Sequence, residues 1–226
     1  TAANLTAIVL DKTGTLTIGK PEVSDVLPLA PNCDNEMDLL KTAASAEKGS
    51  EHPFGKAVVR EAESRGIVLS APTGFKAFGG QGISALVNGD RVQVGKAEWI
   101  RQNGVDIASA DPEIRELQSA GKSVMAVSRE GMLCGLIALS DTLRAEAAEA
   151  VSRLRKNGLR VVMLTGDNRQ TAEAVSGQIH IDTFVAEVPP EEKASAITRF
   201  QKEGHKTAMV GDGINDAPAL AQANLG

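Results

Sequence analysis

Residues 11 to 17 read Asp-Lys-Thr-Gly-Thr-Leu-Thr and follow the apolar run Ile8-Val9-Leu10. An aspartate at a strand end, a lysine beside it and a glycine turn rich in hydroxyls and free N–H groups suit one chemistry. The carboxylate attacks a phosphoryl group and carries it covalently. Two more aspartates closely follow apolar runs, Asp167 after Val161-Val162-Met163-Leu164 and Asp212 after Ala208-Met209-Val210. Strands of a parallel sheet end on one edge, and ligands bind in the crevice there, so three distant segments are expected to meet. One acidic residue in a loop after a strand is commonplace. Three such loops, each dense in Gly with Thr or Asn, point to a site.

Phosphoryl transfer is mostly positioning and charge neutralisation. A carboxylate facing a polyanion needs a cation between them, which Mg²⁺ supplies when held by one or two carboxylates and by phosphate oxygens. Asp11 and Asp212 are the expected ligands, with Asp216 in an outer or water-mediated position. Thr165 and Gly166 offer a hydroxyl and a backbone N–H to phosphate oxygens. Lys193, in Pro189-Pro190-Glu191-Glu192-Lys193, is placed to neutralise further charge, although its spacing alone reads as a solvated helix lysine.

The elements that position these groups alternate from residue 141 onward. Asp141 reads as the N-cap of a helix with apolar residues at 143, 147, 150, 151 and 154, stopped by Gly158. Strands are expected at 159–164, 184–186 and 207–210. A helix between the first two buries Ala172, Val175 and Ile179. Another starts at Pro190, buries Ala194, Ile197 and Phe200, and ends before Gly204. With 5–10 as one more strand, this is an α/β doubly wound parallel sheet. The middle of the chain differs. Asn88-Gly89 between the apolar runs 83–87 and 91–94 is a hairpin signal, and 123–127 and 132–139 flank a turn containing Gly131. Helical stretches near 36–48, 55–65 and 111–120 surround them. An α+β domain with an antiparallel sheet is therefore expected at 22–140. It splits a discontinuous α/β domain, 1–21 and 141–226, with Lys20-Pro21 and Ser140-Asp141 as a double hinge.

The totals exclude several classes. The 226 residues are 42% hydrophobic and 23% charged with a net charge of -5, an ordinary globular composition without the basic excess of a nucleic-acid binder. Cys33 and Cys134 show no CxxC spacing. They are expected to be ordinary core or surface residues in a reducing compartment, neither a disulfide framework nor ion ligands. The longest apolar run, 132–139, is far too short to span a bilayer. No leader is visible, and the chain reads as a soluble cytosolic piece of something longer.

The motifs together resemble the signatures of P-type ATPases, members of the haloacid-dehalogenase-like superfamily. They are Asp11-Lys12-Thr13-Gly14-Thr15-Leu16-Thr17, Thr165-Gly166-Asp167-Asn168 and Gly211-Asp212-Gly213-Ile214-Asn215-Asp216-Ala217-Pro218, in that order. The resemblance covers essentially the whole chain. It implies catalytic roles for Asp11, Lys12, Thr13, Thr165, Gly166, Asp167, Lys193 and Asn215, and Mg²⁺ held by Asp11, the Thr13 carbonyl, Asp212 and Asp216. Ser50-Glu51-His52-Pro53 and Gly80-Gln81-Gly82 resemble elements of the heavy-metal-transporting subfamily, alone no more than a loop and a weak GxG. By that resemblance Glu51, His52, Gly80 and Gly82 hold the nucleotide, with the imidazole against adenine. The subfamily often has Gly-Asn where this chain has Gly95-Lys96, so Lys96 is left out of the expected site.

The expectation is thus the ATP-binding, cytoplasmic part of an integral membrane pump. ATP binds the inserted domain, hinge closure brings its γ-phosphate to Asp11, and an aspartyl phosphate forms. The other partners are the membrane and actuator domains of the same pump. The transported ion is not bound here; the resemblance favours copper, then zinc, cadmium or lead. The main competitor is a soluble phosphatase of the same superfamily, which carries a general-acid aspartate where Thr13 stands; a hydroxyl is a poor proton shuttle at neutral pH. A non-catalytic nucleotide-binding module is the third reading. Relatives continue beyond the last motif, so the α/β sheet is expected to lack an edge element.

Overall fold

The computed structural model describes residues 4–29, 33, 35–213 and 216–226. In chain order the elements are β1 (Ala7–Asp11), β2 (Glu22–Pro28), α1 (Glu36–Glu47), α2 (Pro53–Ser64), β3 (Thr73–Phe78), β4 (Gly82–Val87), β5 (Asp90–Gly95), α3 (Ala97–Gln102) and α4 (Asp111–Ser119). They continue as β6 (Ser123–Arg129), β7 (Met132–Ser140), α5 (Ala147–Lys156), β8 (Arg160–Leu164), α6 (Arg169–Gln178), β9 (Thr183–Val185), α7 (Lys193–Lys202), β10 (Thr207–Val210) and α8 (Ala217–Gln222). The chain forms two compact units, one of Thr1–Lys20 with Asp141–Gly226, the other of Pro21–Ser140. Pro21 lies in the second unit, where the Arg60 guanidinium donates to its carbonyl at 3.1 Å.

The first unit is a parallel sheet in the order β10-β1-β8-β9. All five residues of β1 are buried, the pattern of a strand covered on both faces. Side chains alternate across the pleat, so each strand supplies two cores. Ile8, Leu10, Val161 and Met163 pack with Val151 of α5 and Ala172 and Val175 of α6. Val9, Val162, Leu164 and Met209 pack with Ile197 and Phe200 of α7 and Ala219 of α8. Asp11 pairs with Leu164, and Leu10 with Val210, so the carboxyl ends of β1, β8 and β10 share one edge. The edge beyond β10 is partly filled: Leu225 bridges Ala208, and its carbonyl accepts from the Met209 N–H at 2.8 Å.

Asp141 does not cap a helix. Its carboxylate accepts from the Thr17 hydroxyl at 2.6 Å and from the N–H groups of Gly19 at 3.1 Å and Lys20 at 3.2 Å. Three donors on the outgoing chain outcompete the capping geometry, and α5 starts at Ala147. A capping residue and a loop anchor use the same carboxylate chemistry, so sequence alone does not separate them.

The second unit is a sheet ordered β2-β7-β6-β5-β4-β3, antiparallel throughout. Asn88 (φ 54°) and Gly89 (φ 96°) turn the β4–β5 hairpin with both residues left-handed, as a type I′ turn requires. Helices α1 and α2 cover one face and α3 and α4 the other. The edge strands β2 and β3 carry little of the alternation that marks a half-buried strand: only Val26 of β2 is fully buried, and none of β3. Among the described residues no helix is long and apolar enough to cross a membrane.

Gly135 of β7 fixes the closeness of this packing. A Cβ there would lie 2.2 Å from the Leu27 carbonyl oxygen and 2.7 Å from Leu39 Cδ2. Backbone of a paired strand cannot yield without loss of register. Gly135→Ala is therefore expected to destabilise the second unit by about 1–3 kcal/mol, read by denaturant unfolding of the chain's single tryptophan, Trp99. An unchanged midpoint would show that β2 and β7 can separate freely.

Candidate active site

The chain leaves β1 through a five-residue turn, Lys12–Leu16, closed by the Thr17 N–H on the Lys12 carbonyl at 3.0 Å. Gly14 sits at φ 79°, open to glycine at little cost. A Cβ at Gly14 would lie 3.5 Å from Asp212 Cβ, so the turns after β1 and β10 are in contact. Thr17 Oγ1 accepts from the Gly14 N–H at 3.2 Å and is itself fixed by Asp141. The Arg144 guanidinium binds the far side, donating to the carbonyls of Thr15 at 3.0 Å and Gly14 at 3.1 Å. Asp141 and Arg144 are the residues that the sequence reading missed as site-builders; their one signal is that they stand where the chain returns to the first unit.

Three buried charges meet at the sheet edge. Asp11, Lys193 and Asp216 are 4%, 7% and 0% exposed. The Lys193 ammonium lies 2.7 Å from Asp11 Oδ1 and 2.7 Å from Asp216 Oδ1. Lys193 is thus no solvated helix lysine. Asp216 Oδ2 accepts from the Asp212 N–H at 3.2 Å, and a Cβ at Gly211 would fall 2.2 Å from that oxygen, so only glycine fits there. Asp212 itself is exposed at the rim, as is Thr13. Lys12 turns the other way, into an ion pair with Asp167 at 2.5 Å. Asp167 also accepts from the Thr165 hydroxyl at 2.9 Å, while its N–H donates back to that hydroxyl at 3.1 Å. Gly166 is exposed between them. Asn215 lies outside the described residues.

Burial pushes the Asp11 carboxyl up to about 6; Lys193 works against that, and the charges of Asp216 and Asp212 reinforce it. Burial disfavours the Lys193 ammonium, but Asp11 and Asp216 outweigh it and hold the ammonium above its usual range. Among the described residues Lys12 is committed to Asp167, while Asp11 and Asp216 share the single ammonium of Lys193, so that pairing carries an excess of negative charge. Among the described residues no three His, Cys, Asp or Glu form a closed metal cage. Hard oxygen donors, unbalanced negative charge and an incomplete cage fit Mg²⁺, which keeps waters and completes its shell from a substrate phosphate.

The second unit carries its own cluster. The His52 ring is edge-on to Phe54 at 5.1 Å, and its Nδ1 accepts from the Phe54 N–H at 3.2 Å. That bond requires a neutral ring protonated on Nε2. Burial, and then the Lys96 charge, hold its pKa below the usual value, although much of the residue's outer surface is open. Glu51 points to solvent and pairs with Lys56 at 2.6 Å. Gly80 needs its positive φ of 68°. Gly82 faces Gly95 across the sheet, and a Cβ on Gly82 would lie 2.5 Å from the Val94 carbonyl oxygen and 2.8 Å from Trp99. Glu47, at the end of α1, was not expected from the sequence. It is 4% exposed, its Oε2 has no hydrogen-bond partner among the described residues, and burial, opposed by a Ser50 hydrogen bond to the carboxyl, pushes it up to about 7. A Cβ at Gly55 would lie 2.3 Å from that oxygen.

Comparison with known proteins places this arrangement. A family model described as haloacid dehalogenase-like hydrolase matches residues 5–224. A copper-exporting P-type ATPase of Bacillus subtilis (strain 168) is 47% identical over 222 residues, covering 98% of this chain and 27% of the relative. The chain thus spans about a quarter of the length of that curated relative. The catalytic domain of the CPx-ATPase CopB-B, solved in a study of nucleotide binding, superposes with a TM-score of 0.73 at 28% identity, covering 97% of this chain and 76% of that one. A zinc-transporting PIB-type ATPase in its E2.Pi state gives a TM-score of 0.64 at 41% identity, covering 98% of this chain and 35% of that one. The chain belongs to the haloacid dehalogenase-like hydrolase family and is homologous over nearly all its length to copper-exporting P-type ATPases.

Proposed function

We propose that this chain is the cytoplasmic catalytic part of an ATP-driven heavy-metal cation pump. The first unit acts as its phosphorylation domain and the second as its nucleotide-binding domain. The observation that carries the reading is the Lys193 ammonium shared between Asp11 and Asp216. It fixes one Asp11 oxygen and leaves Oδ2 as the nucleophile. That oxygen attacks the γ-phosphorus of ATP, the bond to the β-phosphate bridging oxygen breaks, and ADP leaves with that electron pair. Asp11, the Thr13 carbonyl and Asp212 would hold Mg²⁺, with Asp216 behind them; when bound, the ion neutralises phosphoryl oxygens. Thr165 and Gly166 bind phosphate oxygens, and Asp167 orients Lys12 and Thr165. Thr13 has no carboxylate to activate water, so the acyl phosphate persists. The relatives favour copper as cargo, with zinc next, and the membrane and actuator domains of the same pump as partners.

In the second unit the neutral His52 ring stacks on adenine, and Gly80 and Gly82 let backbone approach the nucleotide. Glu51 stands at the rim. We assign to Glu47 the acceptor for a nucleotide N–H donor, because its buried oxygen lacks a partner.

Two variants test these roles. Asp11→Asn is expected to abolish the acid-stable, hydroxylamine-labile phosphoenzyme formed from labelled Mg-ATP. It is also expected to stabilise the fold. The folded-state pKa near 6 exceeds the ordinary aspartate value of 3.8, so ionising Asp11 costs the folded state stability. That cost is absent below about pH 4, grows between 4 and 6, and is complete above 6. Calorimetry should show a gain of about 3 kcal/mol at pH 7 that vanishes below pH 4. Rapid hydrolysis of small phosphate esters by the parent chain, with no trapped intermediate, would replace the pump reading by a phosphatase.

Glu47→Gln is expected to stabilise the second unit at pH 8, where the parent carboxylate is ionised, and to leave it unchanged near pH 4.5. The same variant should bind ATP about tenfold more weakly in calorimetric titration. Stabilisation with unchanged affinity would remove Glu47 from the nucleotide site.

A further inference from the structure

The turn between β3 and β4 is closed by the Gln81 N–H on the Phe78 carbonyl at 2.9 Å. It carries Gly80, and beyond the Cβ positions of Gly79 and Gly80 the space is open. The far end of the turn is tied to β5. Gly82 and Gly95 pair across the sheet, and a Cβ on Gly95 would lie 2.5 Å from the Gln81 carbonyl oxygen. That oxygen accepts from the Lys96 N–H at 2.8 Å. Lys96 therefore stands beside the glycine turn, held there by backbone alone, and the residue is exposed. The acids around it are taken elsewhere. Glu98 pairs with Arg101 at 2.8 Å, and Glu51 with Lys56 at 2.6 Å. Among the described residues no carboxylate pairs with the Lys96 ammonium.

We propose that the Lys96 ammonium is the anion-binding group of the second unit and takes the phosphate chain of the nucleotide while His52 takes the base. This rests on the nucleotide-binding reading above and adds to it the group that reads the ligand's charge. The residues assigned there need such a group. Gly80, Gly82 and the neutral His52 ring offer contact without positive charge, and Glu47 and Glu51 are acids that repel a polyanion. Lys56 is already neutralised by Glu51, whereas Lys96 brings an unspent charge to the edge of the open turn. The same charge reaches the His52 ring, where it comes second to burial in holding the imidazole neutral. A lysine is a point charge on a flexible stem, so it follows a phosphate chain without demanding one geometry. The interaction is an ion pair with no covalent step, and ligands that share a base are ranked by their charge.

The test is a calorimetric titration of the full 226-residue chain with ADP and with adenosine, in Mg²⁺-free buffer. Lys96→Gln is expected to weaken ADP binding about tenfold and to leave adenosine binding unchanged, while Lys96→Arg keeps most of the ADP affinity. Raising the ionic strength from about 0.01 M to about 0.15 M shortens the screening length from about 30 Å to about 8 Å. That change is expected to weaken ADP binding by the parent chain more than by Lys96→Gln. Equal ADP affinity in the parent and Lys96→Gln, or equal losses of ADP and adenosine in that variant, would overturn the assignment of Lys96 and leave the nucleotide-binding reading standing. A parent chain that binds neither ligand would overturn both together.

Discussion

The catalytic edge depends on one buried ammonium. Lys193 sits between Asp11 and Asp216 at equal distances of 2.7 Å, in a place where an unpaired charge of either sign is costly. Its attraction to two carboxylates keeps it protonated against burial. In return it keeps Asp11 from rising further than about 6, so the nucleophile is mostly ionised at neutral pH. The balance is deliberately incomplete. A second lysine close to Asp11 would neutralise the edge, but Lys12 is drawn off by Asp167. The residual negative charge is what makes the edge receptive to a divalent cation arriving with a polyphosphate.

Much of the surrounding architecture follows from keeping those charges in register. β1 is buried on both faces, so its end is fixed by two cores at once. The turn after it is held on opposite sides by Asp141 and Arg144. Asp141 gathers Thr17, Gly19 and Lys20, all on the chain leaving the first unit, and itself begins the returning chain. The two connections between the units are therefore tied to the same carboxylate that steadies the nucleophile's turn. Any change in how the chain leaves the first unit reaches the Thr17 hydroxyl directly, and through it the Gly14 N–H.

The parallel sheet was legible because its strands are short, uninterrupted apolar runs separated by helical periods, and the second unit's hairpins because Asn88-Gly89 and Gly131 mark their turns. What escaped has physical causes. β2 and β3 are edge strands whose residues are mostly wet, so no alternation marks them. Asp141 has the chemistry of a cap, and only the fold reveals that Thr17 and the chain beyond it claim its oxygens. Lys193 was singled out through the resemblance, but its acidic helix start reads as surface, so its burial between two carboxylates was not legible. Glu47 has no motif of its own; its meaning comes from burial and from the missing partner of Oε2.

Glycines mark where the two kinds of constraint differ. Gly211 is forced by Asp216, whose carboxylate would occupy the space of a Cβ, and Gly55 is forced in the same way by Glu47. In each case a buried acid is packed against backbone, so the acid and the glycine form one unit. Gly82 and Gly95 are different: they face each other beneath Trp99 and are required by the sheet itself. A loss of nucleotide affinity on changing Gly82 would therefore not separate contact from collapse. Gly80, with open space around its Cβ position, is constrained only by its backbone angle. Asparagine, which tolerates that region, could keep the turn there and expose whatever part of the glycine's role is true proximity to a ligand.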